Sequence, residues 1–310
     1  VDNRGFWPCL IEEVTMEISR LKALLREKVI PLDADVSLAE RREEMEKVAF
    51  RVAEDISVET ISIAGRSAEW LRAPDIEQQR AILYLHGGGY VMGSLNTHRA
   101  LGGEISRAAK AAVLMFDYRL APEAAHPAAV DDATDAYEWL LEQGFAANDL
   151  AIAGDSAGGG LTAATLLALR DNQRALPKAA VCISPWSDLT CSNDSYQSRA
   201  DADPMVTFGG LDEMVEHYVQ GQDAKNPYVS PNFASLKSLP PLLIQVGNDE
   251  VLLDDSINLP EQAQADSVDS TLEVWDDMIH VWHAFHPMLK EGQQGIDRVG
   301  EFLQTHWAKA

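Results

Sequence analysis

One serine in this chain stands in a setting that could make it a nucleophile. Gly154-Asp155-Ser156-Ala157-Gly158 is a Gly-x-Ser-x-Gly pentapeptide. It lies between residues 150–153, a short apolar run that reads as a strand, and residues 161–169, a run rich in small residues that reads as a helix. On a sharp strand-to-helix turn, the positions two before and two after the serine must be nearly free of side chain so that strand and helix can approach. The hydroxyl then stands at the open end of a sheet, near the positive end of the following helix. No second pentapeptide of this kind occurs in the chain.

Attack by such a serine on an ester carbonyl places negative charge on oxygen, and preorganised backbone N–H groups are the cheapest way to stabilise it. His86-Gly87-Gly88-Gly89 closes the apolar run 81–85 well before Ser156, the order expected of an oxyanion loop and its nucleophile. The expected donors are the N–H groups of Gly88, Gly89 and Ala157, with Gly87 shaping the loop. His86 reads as a structural hydrogen-bonder, because a base of this type follows the acid in the chain.

Five histidines follow Ser156: His217, His280, His283, His286 and His306. His280 lies just past the strand-like run 271–275, where a loop can carry it over the sheet edge, so it is the expected base. His283 and His286 are assigned to the helix that follows, and His217 to a helix in an inserted segment. The acid belongs at the end of the preceding apolar run, 242–246, where Asp249, Glu250, Asp254 and Asp255 offer four carboxylates. The residues alone leave Asp249 and Glu250 open, since strand parity is unreliable in a loop.

The elements that must position these groups are legible in outline. Ile11, Val14, Ile18, Leu21 and Leu25 recur at helical spacing until Pro31, and residues 38–52 carry Met45, Val48 and Val52 on one side. Ile56 to Leu71 suggests two short strands joined at Gly65. From residue 81 onward, short apolar runs at 81–85, 112–116, 150–153, 180–183, 242–246 and 271–275 alternate with helical stretches, including 130–141 with Gly144 after it. That is the pattern of buried parallel strands in an α/β fold. Between Ser187 and Pro227 the alternation breaks into a polar loop and a helix near 211–219, as an insertion on the side of the strands' carboxyl ends would do.

Composition narrows the function further. The net charge of −24 repels phosphate backbones and anionic lipid headgroups, so neither nucleic acid nor membrane is an expected partner. Cys9, Cys182 and Cys191 lack the spacing of a disulfide framework or a zinc site. No apolar run suits a membrane span, and no charged region followed by an apolar one suits an export signal, so the cytoplasm is the expected location. No phosphate-binding glycine loop and no HExxH motif appears.

Together the HGGG segment, Gly154–Gly160, the Tyr118-Arg119-Leu120-Ala121-Pro122-Glu123 segment and the late histidine resemble the hormone-sensitive lipase family of bacterial esterases. Stretches 81–98, 117–123, 154–160, 249–256 and 275–287 are similar to metagenome-derived esterases and to monoterpene ε-lactone hydrolases. The family's D-P-L-R-D motif has its acid three residues after a glycine, four before a second acid and about thirty before the histidine. Mapped on Gly247, Asp254 and His280, this spacing implies Glu250 as the acid, in place of the commoner Asp. The resemblance implies an α/β-hydrolase fold: an eight-stranded, mostly parallel sheet flanked by helices, with a helical cap. Residues 1–52 and 188–226 would form the cap, and 53–187 and 227–310 the catalytic domain. It implies a carboxylesterase for short-to-medium acyl chains with a Ser156–Glu250–His280 triad, an acyl-enzyme, no metal or organic cofactor, and a homodimer built on the edge strand near 271–275. Arg119 and Glu123 match a structural segment. A lactone hydrolase is the nearest alternative, whereas a non-catalytic receptor on this fold would have lost His280. A long-chain lipase and a serine peptidase are disfavoured by the acidic surface and the chain length.

Overall fold

The computed structural model describes residues 16–30, 32, 34 and 36–309. The chain opens with two helices, α1 (Ile18–Lys28) and α2 (Leu38–Lys47), followed by the hairpin β1 (Ser57–Ile63) and β2 (Arg66–Arg72). Strands and helices then alternate: β3 (Ala81–Leu85), α3 (Leu95–Ala109), β4 (Ala112–Phe116), α4 (Ala128–Glu142), β5 (Leu150–Asp155), α5 (Ala157–Asp171) and β6 (Ala179–Ile183). A short helix α6 (Ser195–Ser198) and the longer α7 (Phe208–Val219) interrupt the alternation. It resumes with β7 (Leu242–Gly247), α8 (Leu253–Ala265), β8 (Ser270–Trp275) and α9 (Lys290–Ala308).

The strands form one eight-stranded sheet in the order β1-β2-β4-β3-β5-β6-β7-β8. β2 pairs antiparallel with β1 and β4, and every other neighbouring pair is parallel. The apolar runs of the central strands divide between the two faces with the strand period of two. Ala81, Leu83 and Leu85 of β3 join a core with α4, α5 and α8, while Ile82 and Tyr84 join a second core with α3 and α9. Burial on both faces is why these strands read as continuous apolar runs. β8 is an edge strand and only half covered, with Val274 exposed.

The first two helices differ from the expectation in length. Ile11, Val14 and Pro31 lie outside the described residues, and within them Leu21 and Leu25 form the buried face of α1. α2 begins at a capping box between Ser37 and Glu40 and ends at Lys47, short of the expected Val52. Beyond Lys47 the chain turns inward: Val48 and Phe50 line a cavity, and Val52 packs beside Ile56 against α3. Tertiary burial of these apolar side chains outweighs the helical period. Cys182 and Cys191 are buried free thiols, and Cys9 lies outside the described residues. No described helix is long and apolar enough to cross a membrane.

Candidate active site

Ser156 occupies the turn from β5 into α5 with φ 54° and ψ −124°. A non-glycine residue there stores strain on the order of 1–3 kcal/mol. The backbone holds it in place: Ser156 N–H donates to Ile183 O of β6 (2.8 Å), and Ser156 O accepts from Gly160 N–H (3.1 Å) and Trp186 N–H (2.9 Å). The two flanking glycines are dictated by close approach. A Cβ on Gly154 would sit 2.3 Å from Gly158 O, and one on Gly158 only 2.0 Å from Leu85 O. Gly158→Ala is therefore expected to push α5 away from β3, lowering both stability and any activity that depends on Ser156; a thermal melt beside an activity assay checks it.

Ser156 Oγ lies 2.9 Å from His280 Nε2, and His280 Nδ1 lies 2.8 Å from Glu250 Oε2. Glu250 is fully buried at the end of β7, and its Oε1 accepts from Gly247 N–H (2.5 Å) and Ser184 Oγ–H (2.7 Å). A carboxylate so held takes the Nδ1 proton of a neutral imidazole as a hydrogen bond, leaving the Nε2 lone pair toward the serine hydroxyl. Burial alone would lower the His280 pKa, but the bond to Glu250 and the charges of Glu250, Asp203 and Asp155 outweigh it and raise the pKa above the ordinary 6.5.

The other candidates are sorted by their partners. Asp249 turns outward to Lys22 Nζ of α1, 2.5 Å away. Asp254 accepts from Ser195 N–H, and buried Asp255 accepts from the N–H groups of Ser187 and Asp188. Burial pushes the Asp255 carboxyl up to about 7. His283 and His286 do not belong to the following helix, which begins only at Lys290. Instead His283 lies within a 3-10 turn over Trp282–Phe285 and His286 directly follows it, because the chain tucks Trp282 and Phe285 into the core before α9 can start. His283 Nε2 faces Gln245 Oε1 at 2.9 Å, and burial drops its pKa to about 3. His217 sits on α7 opposite Glu213, and His306 on α9 bonds Phe302 O.

The glycine loop after β3 borders the serine. Gly88 (φ 115°) and Gly89 (φ 61°) line the same cavity as Ser156 and His280. Among the described residues, none accepts a hydrogen bond from the Gly88 or Gly89 N–H. Ala157 is the first residue of α5, where the N–H has no intrahelical acceptor. His86 is fully buried, stacks on Tyr118 at 4.4 Å, and has its pKa lowered by burial to about 4, so it is neutral. Sequence reasoning missed what ties this loop to the serine turn. Asp155 Oδ1 accepts from Tyr84 Oη–H (2.7 Å) and Gly87 N–H (3.2 Å), while its Oδ2 faces His98 Nε2 at 3.2 Å. Burial opposes the charge of Asp155, yet His98 and these hydrogen bonds hold its pKa below the ordinary carboxylate value.

Above the serine lies a cavity of about 280 Å³. Leu25 and Val29 of the α1 end, Met45 and Val48 of the α2 end, and Leu211 and Met214 of α7 contribute to its wall. α1 is fastened over it: Leu21 and Leu25 pack on Ile279, Trp282 and Phe285 beside His280, and Arg26 donates to Asp201 O and Ala202 O before α7. The segment 118–123 is tied to two helices. Glu123 receives Arg42 of α2 in a two-pronged pair (2.7 and 2.8 Å), and Arg119 holds Asp132 of α4.

The chain is similar to known proteins over most of its length. A family model described as alpha/beta hydrolase fold matches residues 82–284. An acetyl-hydrolase of Streptomyces hygroscopicus is 46% identical over 247 residues, 80% of this chain and 82% of the relative. An ethyl acetate hydrolase of Pseudomonas putida is 31% identical over 299 residues, 90% of this chain and 93% of the relative. Among solved structures, the esterase EstE5, soaked with p-nitrophenyl butyrate, superposes with a TM-score of 0.92 at 61% identity, covering 94% of this chain and 98% of that one. An esterase from the bacterial hormone-sensitive lipase family superposes with a TM-score of 0.90 at 43% identity, again over 94% and 98% of the two chains.

Proposed function

This chain belongs to the α/β-hydrolase fold family and is a carboxylic ester hydrolase, and from that premise we propose that it cleaves esters of short-to-medium acyl chains through Ser156, His280 and Glu250. The observation that carries the reading is the relay of 2.9 and 2.8 Å contacts from Ser156 through His280 to Glu250, opening into a roofed, largely apolar cavity. His280 takes the hydroxyl proton as Ser156 attacks the carbonyl carbon. Glu250 holds the imidazole in the correct tautomer and stabilises its charged form. The N–H groups of Gly88, Gly89 and Ala157 receive the oxyanion. His280 then returns the proton to the departing alcohol, and deprotonates the water that hydrolyses the acyl-enzyme.

The roof sets the length preference. Each buried methylene is worth about 0.8 kcal/mol, about fourfold in binding, until the cavity is full. A longer chain must then remain in water or displace α1 and α7. The names of the acetyl- and ethyl acetate-hydrolysing relatives, and the butyrate ester soaked into EstE5, support a short chain. Across p-nitrophenyl esters from acetate to palmitate, kcat/KM is expected to peak at about four to six carbons and to be weak on palmitate. Met214→Ala, which opens the wall beside Gly89, is expected to move the peak to longer chains. A rise continuing through palmitate in the intact protein would overturn the short-chain reading, and a kcat/KM higher on ε-lactones than on every linear ester would make this a lactone hydrolase.

The base must be neutral to accept a proton, so activity falls as pH drops through the His280 pKa. Because that pKa is raised, the acid limb of kcat/KM is expected above pH 6.5. A limb below that value would show that burial of the imidazole outweighs the charge of Glu250.

A further inference from the structure

A single buried hydroxyl joins the loop of the acid to the loop of the base. Ser184, directly after β6, is fully buried and held in the left-handed region at φ 46°. Its N–H donates to Gln245 O of β7 (2.6 Å). Its Oγ–H donates to Glu250 Oε1 (2.7 Å), and the same Oγ accepts from the N–H of Val281 (3.2 Å), the residue after His280. Val281 is itself left-handed at φ 47° and ψ 46°, a conformation that a β-branched residue adopts only under restraint. One oxygen thus occupies the outer face of the Glu250 carboxylate and restrains the strained backbone next to the imidazole.

We propose that Ser184 is a positioning residue for the ester hydrolysis: with Gly247 N–H it saturates Glu250 Oε1 so that Oε2 is turned to His280, and through Val281 it holds the His280 loop at the distance the relay needs. The proposal rests on the triad reading above. Ser184 does not line the cavity, so it acts on the reaction without touching substrate. Two consequences separate this role from a packing role. Loss of the hydroxyl should lower kcat while leaving KM alone. It also removes a donor that draws carboxylate charge toward Oε1, so more charge faces the imidazole and the protonated form of His280 gains. The acid limb of kcat/KM then moves to higher pH. The other acids acting on His280 are Asp203 and Asp155, and Ser184 is bonded to neither.

The discriminating variant is Ser184→Gly, because glycine keeps the left-handed backbone and removes only the hydroxymethyl group. On p-nitrophenyl butyrate its kcat is expected to fall about 10- to 100-fold, the range for a lost hydrogen bond to a buried charge, with KM within about twofold and the acid limb shifted upward. Wild-type kcat and an unshifted limb in Ser184→Gly would overturn the proposal. Should that variant not fold, Ser184→Cys, near in size but a weak donor, decides: a lower kcat at unchanged KM supports the role, and wild-type kcat removes it. The triad reading fails separately, through an active Ser156→Ala.

Discussion

Ser156→Ala is expected to lower kcat by about 10⁶-fold while leaving the fold in place, the scale seen when the nucleophile of a serine triad is removed. The backbone bonds that hold the turn, to Ile183, Gly160 and Trp186, do not involve the side chain. Among the described residues, the hydroxyl bonds to His280, at the edge of the cavity. Alanine meets the same left-handed strain as serine, so stability should change by less than about 1 kcal/mol. Turnover of p-nitrophenyl butyrate beside a thermal melt measures both. An unfolded variant would show that the melt, rather than the chemistry, explains the loss.

The second large effect separates two adjacent acids. Glu250→Gln keeps the size of the side chain but can present an amide to His280 Nδ1, favouring the wrong tautomer, and is expected to reduce kcat by about 10⁴-fold. Glu250→Ala should match it in kcat and melt lower, since the Gly247 N–H, the Ser184 hydroxyl and the His280 Nδ1–H would all lose a buried acceptor. Asp249→Ala loses only a partly exposed pair with Lys22 on α1, so its kcat should fall by less than about tenfold. The reverse ranking, measured side by side on one ester, would move the acid to Asp249.

This pair also shows where sequence reading stops. Ser156, His280 and the HGGG loop are legible because each sits at the end of an apolar run, and the ends of buried parallel strands converge on one side of a sheet. The strands are legible because burial on both faces leaves unbroken runs such as 81–85. Past residue 247 the chain leaves the strand, its period is lost, and only motif spacing favoured Glu250 over Asp249. The structure separates them by direction: one side chain points under His280, the other out to α1. Ser184, His98 and the anchoring role of Asp155 carry no periodic signal, because their partners lie 97, 57 and 68 positions away in the chain. The early end of α2 was hidden for another reason: Val48 and Val52 satisfy a helical period, but they pack on the cavity and on α3 after the helix has ended.

The measurement closest to the centre of this account is covalent labelling of the wild-type protein with an organophosphate ester, followed by peptide mass spectrometry. An activated hydroxyl beside a neutral imidazole and an oxyanion site should take one phosphoryl group, with hydrolysis of p-nitrophenyl butyrate lost in proportion, and the modified peptide should carry the adduct on Ser156. An adduct on any other serine, or full inactivation with Ser156 unmodified, would contradict the assignment of the nucleophile and with it the relay through His280 and Glu250.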